Sequence, residues 1–376
     1  MNLHIYQTGI AHESRLRRHC VALKEAGVFS DVEFLGCALN QFDRNEVFEG
    51  GILATLLRKR DSRSLSFFGK LIDTLGWEIR AFNQARAKKP TVVTCHSLPV
   101  LPLCLAIKVA LSCKVVYEPH ELETETIVSR GIRKPIAKAV EGVLIRYCDA
   151  VIVVSNEISK WYAHAYKIRP PKVVRNMPRA FQGVSQDECQ ETFREKFKIP
   201  SDGIIFLYQG YVGHGRRVRQ YLRVFEALGD PFYIVFMGSG ELASEIIDLA
   251  HSASNIFYQE SVPSEEVLRY TVGADVGLCG VENVCLSYFF SLPNKMFEFL
   301  AAGIPCFAPE YPEMKSFVQR YGVGWTHGEA DKDLVSLISG LTKGVLNEKR
   351  ENIKSVQPNL CWDAEKVILI DSYRDL

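Results

Sequence analysis

Short β-rich runs alternate with longer helical stretches along this chain, and that rhythm narrows its fold more than any other feature. In the first half the runs are Leu3 to Gln7, Thr91 to Cys95, Lys114 to Glu118 and Ala150 to Ser155. In the second half they are Ile204 to Gln209, Phe232 to Met237, Ile256 to Gln259, Val276 to Cys279 and Pro305 to Ala308. Strands joined by helical connections pair in parallel and are covered by helices on both faces. A chain of 376 residues is also too long for one core of ordinary size. The expectation is α/β with two parallel-sheet domains, residues 1–179 and 201–356. A linker over 180–200 joins them, with a polar helix near Gln186 to Lys198, and an amphipathic helix within 357–376 closes the chain.

Composition removes several classes. The net charge of +1 supplies no field to recruit nucleic acid. No apolar run reaches the ~18 residues that span a bilayer. Met1 to Tyr6 lacks the charged and apolar regions of a secretory signal, so a cytoplasmic chain is expected, peripheral at most at the inner face of the membrane. Eleven cysteines lie without Cys-x-x-Cys spacing, several of them (Cys95, Cys148, Cys279, Cys306) in or beside apolar runs. Reduced core thiols fit them better than zinc or disulfides.

In open parallel sheets ligands bind beyond the carboxyl ends of the strands. There this chain places Thr8 and Gly9, His96, the run Glu118-Pro119-His120-Glu121, and Gly210 with Gly213 and Gly215. Gly238 and Gly240 follow Met237 and can serve simply to turn the chain. A first helix from about Glu13 to Ala26 buries Leu16, Cys20 and Leu23 and leaves Arg15 and Arg18 near its start. Cations there oppose the helix dipole; they either bind an acid or are solvated, and solvation is the expectation.

Residues 58–89 carry nine Lys or Arg against three Asp or Glu, interleaved with Phe67, Phe68, Leu71, Ile72, Leu75 and Trp77. Such a surface can rest on anionic lipid, gaining ~1 kcal/mol per basic residue near the surface. Peripheral membrane contact through 58–89 is one reading, and a solvated helix packed by its apolar side is the other. Only a helix with an exposed apolar face would insert.

Leu292 to Pro305 reads Leu-Pro-Asn-Lys-Met-Phe-Glu-Phe-Leu-Ala-Ala-Gly-Ile-Pro. Pro293 suits a first helical turn, Gly303 a left-handed stop, and Pro305 blocks continuation, which bounds about three turns of helix. Free N–H groups at its start would attract an anion. Further in, Glu298 could accept two hydroxyl hydrogens. The plainer alternative is a surface ion pair of Lys295 with Glu298, worth ~0.2–0.5 kcal/mol. After Gly210 comes Tyr-Val-Gly-His-Gly-Arg-Arg-Val-Arg, where glycines permit close backbone approach and Arg216 or Arg217 could bind phosphate oxygens bidentately. No Gly-Lys-Ser/Thr ending and no Gly-x-Gly-x-x-Gly after the first strand is present, which disfavours a P-loop hydrolase or a dinucleotide dehydrogenase.

In this order the motifs resemble those of the retaining GT-B glycosyltransferases of family four. Gly210 to Arg217 matches the phosphate loop and Phe236 to Gly240 the glycine turn, with Asn255 to Glu265, Ala274 to Gly280 and Leu292 to Pro305 following. Glu13-Ser14-Arg15-Leu16 with Arg18 is similar to the Asp-Pro-Arg-Val-x-Arg helix of one branch, and Tyr117 to Glu121 to its Tyr-Asp-x-His-Glu. Val151 to Ser155 and Arg175-Asn176-Met177-Pro178 complete the order. The resemblance implies a GT-B fold, two Rossmann-like domains facing across a cleft. It implies transfer of a hexosyl or N-acetylhexosaminyl group, with retention, from a UDP- or GDP-sugar to a glycan or lipid-linked acceptor in surface polysaccharide synthesis. No metal and no cofactor beyond the nucleotide sugar itself is implied.

Residue by residue, the resemblance puts the donor nucleotide against Gly210, Gly213, Arg216, Arg217, Leu292, Pro293, Asn294, Lys295 and Glu298. Glu298 would meet the ribose, Arg216 the phosphate, and Val262 with Pro263 the base. Gly9, Arg15, His96, His120 and Glu121 would lie on the acceptor side, with His120 beside the donor sugar. His120, Glu298 and Arg216 are the catalytic candidates, a buried structural histidine being the alternative for His120. Two positions depart from the pattern. Phe290 stands where a first motif glutamate touches sugar hydroxyls, with Glu282 a substitute at the wrong spacing, and Tyr211 stands where an arginine is common. Those departures keep two other readings open: a catalytically weakened sugar-nucleotide-binding or scaffolding protein, and a sugar-nucleotide epimerase.

Overall fold

The computed structural model describes residues 1–9, 13–61, 65–129, 131–179, 191–263 and 266–376. Two compact units result: Met1–Arg175 with Glu365–Leu376, and Asn176–Ala364. Residues 180–190 of the anticipated linker and polar helix lie outside the described residues, and Glu191–Phe197 is a helix with Phe193 buried in the second unit.

In the first unit the strands are β1 (Asn2–Ile5), β2 (Val32–Leu39), β3 (Arg44–Phe48), β4 (Ile52–Lys59), β5 (Val92–Cys95), β6 (Lys114–Tyr117), β7 (Ala150–Val153) and β8 (Lys172–Val173). They stand in the order β3-β4-β2-β1-β5-β6-β7-β8, parallel throughout except for the β3–β4 hairpin at the edge. Strands β2 to β4 are additional to the runs read from sequence. Its helices among the described residues include α1 (Ser14–Glu25), α2 (Phe67–Lys88), α3 (Leu101–Leu111), α4 (Arg133–Leu144) and α5 (Asn156–Tyr166). Register decides which polar residues meet. His4 on β1 lies opposite Thr94 on β5, and Cys95 lies opposite Tyr117 on β6, so His96 and Glu118 leave adjacent strands side by side.

The second unit is one parallel sheet in the order β11-β10-β9-β12-β13-β14, formed by β9 (Ile204–Gln209), β10 (Phe232–Met237), β11 (Ile256–Gln259), β12 (Val276–Leu278), β13 (Cys306–Pro309) and β14 (Gly324–His327). Both faces of β9 are buried. Ile205 and Leu207 pack into one apolar cluster, and Ile204, Phe206 and Tyr208 into another. That two-sided burial explains the unbroken apolar run in its sequence.

The last helix, Trp362–Arg374, is tied to the first unit from Glu365 onward. The Glu365 carboxylate accepts the Arg175 backbone N–H at 2.7 Å and its guanidinium at 3.1 Å. Among the described residues ten cysteines are free, no group of three or more His, Cys, Asp or Glu could hold a metal ion, and no helix is long and apolar enough to cross a membrane.

Candidate active site

In the second unit the expected donor residues gather at the end of β9. The helix read from Leu292–Pro305 spans Asn294–Ala301, shorter than the three turns anticipated. Pro293 stands just before it as an extended cap, with φ −69° and ψ 141°. The stop is as expected: Gly303 has φ +73°, and the Ile304 N–H returns to the Phe299 carbonyl at 3.0 Å. Glu298 accepts a hydrogen bond from the Gln209 side-chain amide at 2.6 Å, and Gln209 in turn accepts one from the Thr271 hydroxyl at 2.8 Å. The last residue of β9 thus orients the carboxylate.

Lys295 lies with its ammonium 4.4 Å from the centre of the Tyr208 ring, and the Arg216 guanidinium lies 4.7 Å from the Tyr288 ring. Burial, then the charge of Arg216, pulls the Lys295 ammonium down to about 8. Among the described residues neither cation has an ion-pair partner. Two half-buried cations that repel one another next to a helix start form a site that favours an anion.

Arg217 is placed differently from Arg216. Its guanidinium donates to the Val281 carbonyl (2.6 Å), Gln220 (2.6 Å), the Tyr311 hydroxyl (2.9 Å) and Glu329 (2.6 Å), so it holds the loop together. Its backbone N–H donates to Glu282 at 3.0 Å, which commits that carboxylate to the same loop. The Phe290 ring packs 5.4 Å from Phe289, and Tyr211 is half exposed over Gly213. Val262 is half-buried against the core, Leu292 is buried, and Asn294 is exposed at the helix start.

In the first unit a buried polar network forms where β1, β5 and β6 end. Thr94 donates to the Asn2 carbonyl oxygen (3.1 Å), which leaves the Asn2 amide N–H₂ as the donor to His4 Nε2 (3.0 Å). A neutral His4 then carries its proton on Nδ1, facing His96 Nε2 at 2.8 Å. By the same step His96 Nδ1–H donates to His120 Nε2 at 3.2 Å, while Glu118 Oε2 stands 3.3 Å from the same Nδ1. A neutral His120 therefore carries its proton on Nδ1. His19 Nδ1 donates to Glu118 Oε1 at 2.9 Å.

Burial drives His4 down to about 4 and His120, with help from Arg15, to about 3. His96 falls well below the usual histidine range for the same first reason. Burial alone would raise Glu118; the charge and bond of His19, then His96 and Arg15, outweigh it and hold the carboxyl well below the usual range.

Arg15 corrects its expectation. Instead of being solvated it is 4% exposed, and among the described residues none of its three guanidinium nitrogens has a hydrogen-bond partner. It faces Glu118 through space, and burial lowers it. Glu121 is exposed. Among the described residues, a Cβ on Gly9 would meet the Cys37 carbonyl at 3.8 Å, an ordinary contact. Sequence reasoning passes over His4, His19, Asn2, Thr94 and Tyr373, whose hydroxyl lies 2.8 Å from Thr94. A signal existed for two of them: Asn2 and His4, at period two, interrupt an apolar strand on one face.

With this geometry in hand, the sequence profile of Glycosyltransferase Family 4 matches residues 13–177. No curated protein matches the sequence. Among solved structures, a sucrose-phosphate synthase from Thermosynechococcus elongatus is similar over 100% of this chain and 98% of its own, with a TM-score of 0.77 at 15% identity. Anabaena Alr3699/HepE in complex with UDP aligns over the whole of both chains, with a TM-score of 0.73 at 11% identity. The lipopolysaccharide outer core galactosyltransferase WaaB also aligns over both whole chains, with a TM-score of 0.70 at 13% identity. The fold is therefore that of the GT-B glycosyltransferases: two parallel-sheet α/β domains.

The histidine network gives stability a pH dependence. Unfolded imidazoles take up protons near 6.5, whereas His4 and His120 do so only near 4 and 3. Between those values the unfolded chain binds more protons, so stability is lost as pH falls from 6.5 toward 4, by up to ~1.4 kcal/mol per pH unit for each histidine. Urea unfolding at pH 7 and pH 4.5 should show this loss, and His4→Gln should reduce the slope. Equal slopes in the two proteins would contradict the assignment.

Proposed function

We propose that this chain is a retaining glycosyltransferase that moves a hexosyl or N-acetylhexosaminyl group from a UDP- or GDP-sugar to a glycan or lipid-linked acceptor in surface polysaccharide synthesis. The observation that carries this reading is the pair of cations, Arg216 and Lys295, which have no ion-pair partner among the described residues and lie at the start of the Asn294–Ala301 helix. Breaking a sugar–phosphate bond leaves negative charge on the diphosphate, and fixed cations stabilise charge that grows in the transition state. Glu298, held by Gln209, accepts the ribose hydroxyls. The likeness to HepE, solved with UDP and with UDP-glucose, supports a uridine donor.

His120 binds and orients the sugar through its Nδ1–H. Buried as a neutral group, it is a donor there rather than a general base. The leaving phosphate oxygen takes the proton of the acceptor hydroxyl, so the reading needs neither a protein base nor a metal ion. Phe290 and the engaged Glu282 favour one second reading, a sugar-nucleotide-binding protein with weakened turnover, because neither supplies a free carboxylate to the donor sugar.

The reading places the protein on the cytoplasmic side, resting on the membrane through α2. Phe67, Phe68, Leu71, Ile72, Leu75 and Ile79 are all exposed, Phe68 at 73%, and share one side of that helix, while Trp77, Ala81 and Ala85 pack inward. This is the exposed apolar face that insertion requires.

Radiolabelled sugar nucleotides should be turned over, by transfer or slow hydrolysis. Glu298→Ala should weaken UDP about tenfold or more, the cost of a charge-assisted hydrogen bond. Arg216→Ala should weaken UDP while sparing uridine. Intact UDP binding with no turnover of any common donor would favour the binding-protein reading. Sedimentation with anionic vesicles should exceed that with neutral ones and fall in a Phe68→Glu, Ile72→Glu double variant; equal pelleting of variant and wild type would remove the membrane contact.

A further inference from the structure

Helix α4 is turned the reverse way from an ordinary surface helix. Its charged side faces inward: the buried Glu141 carboxylate accepts hydrogen bonds from the hydroxyls of Tyr117 (2.8 Å), Tyr162 (2.8 Å) and Tyr166 (2.7 Å). Lys138 lies 4.7 Å over the Trp161 ring and is paired with Glu125. Its apolar side faces out, with Ile136 57%, Val140 43% and Val143 58% exposed at positions i, i+4 and i+7. A helix that spends its polar side on the core leaves an apolar stripe that water does not stabilise.

That stripe forms one wall of a pocket of about 460 Å³, within the roughly 300–1,000 Å³ that small ligands occupy. Ile136, Ala137 and Val140 face Leu98, Pro99 and Pro102 across it. The inner wall begins two residues after His96, and Glu123, three residues after His120, completes it. The Leu98 backbone lies close enough to the Glu123 carboxyl to act on its charge. Burial, then Glu141 and Glu121, pushes Glu123 up to about 8, so the one acid in the pocket is largely uncharged at neutral pH. The exposed Arg133 supplies a positive charge to the lining.

We propose that this pocket takes the hydrocarbon chain of a lipid-linked acceptor with an anionic head, the head lying toward Arg133 and the strand ends that carry His96 and His120. The proposal rests on the transferase reading and names its acceptor class. Six apolar side chains with one guanidinium suit an anionic amphiphile better than a free sugar, whose hydroxyls would find few partners. The pocket also continues an apolar surface: α2 packs beside α3, which packs beside α4, and all three expose apolar side chains, including Val109 of α3. A chain leaving a bilayer could pass into the pocket without crossing water.

The probe is dodecyl phosphate, titrated by calorimetry below its micelle concentration. Wild-type protein should bind it saturably at one site. Ala137→Trp and Val140→Trp, which fill the pocket from two positions, should each weaken it by about tenfold or more, and Val47→Trp, an exposed position on β3 away from the pocket, should leave it unchanged. UDP binding on the same samples reports on the second unit separately. UDP affinity retained in wild type without dodecyl phosphate binding would overturn this proposal alone, whereas loss of UDP affinity in wild type would sink the donor reading. Inorganic phosphate binding as tightly as dodecyl phosphate would place the affinity in the charge and overturn the chain site. Filled variants that bind the probe undiminished would overturn the proposal, and self-association abolished by the two tryptophan substitutions would assign the stripe to a second copy instead.

Discussion

A Cβ on Gly238 would stand 1.8 Å from the carbonyl oxygen of Gly210, so the backbones leaving β9 and β10 can meet only because no side chain intervenes. The Gly210 N–H donates to the Met237 carbonyl at 2.8 Å across the same contact. A Cβ on Gly210 would in turn fall 2.8 Å from Lys295 Cε. The lysine therefore lies directly over the strand end, with its ammonium on the Tyr208 ring and Glu298 of the same helix bonded to Gln209. Packing of bare backbone against backbone thus sets where charge accumulates. Lys295 and Arg216 are held near each other at a cost, which a bound anion would relieve.

The first unit solves a different electrostatic problem. It buries four histidines, Glu118 and Arg15 close together, an arrangement that would be prohibitive if all were charged. The Arg15 guanidinium faces the Glu118 carboxylate, His19 donates to that carboxylate, and hydrogen bonds pass in one direction from Asn2 through His4 and His96 to His120. Tyr373 of the last helix approaches the same chain through Thr94. The terminal helix thereby contributes to the proton position on a histidine far away in sequence.

The architecture and the strand-end cluster of the second unit were legible in the sequence because both depend on local patterns. Parallel strands buried on two faces show as apolar runs, and their ends show as glycine and polar clusters. The Leu292–Pro305 stretch carries its own stop signal, so its helix and the place of Lys295 and Glu298 could be read directly. What escaped depends on partners distant in the chain. Arg15 sits on a helix start where solvation was the reasonable expectation, but Glu118, about a hundred residues on, lies close enough to act on its charge. Arg216 and Arg217 are adjacent and alike, yet only tertiary contacts with Gln220, Tyr311 and Glu329 separate a loop brace from an open cation. Helix α4 hides its orientation because three tyrosines from other elements draw Glu141 inward.

We propose that the strand-end cations and Glu298 of the second unit form a nucleoside-diphosphate site. Hydrogen–deuterium exchange of the full chain with and without UDP tests it most directly, since it locates the ligand without requiring turnover. Protection should concentrate in residues 209–217 and in the first turn of the Asn294–Ala301 helix, with little change in β3, β4 or the outer face of α2. Protection by UDP confined to other segments, with residues 209–217 and 294–298 unaffected, would contradict the account.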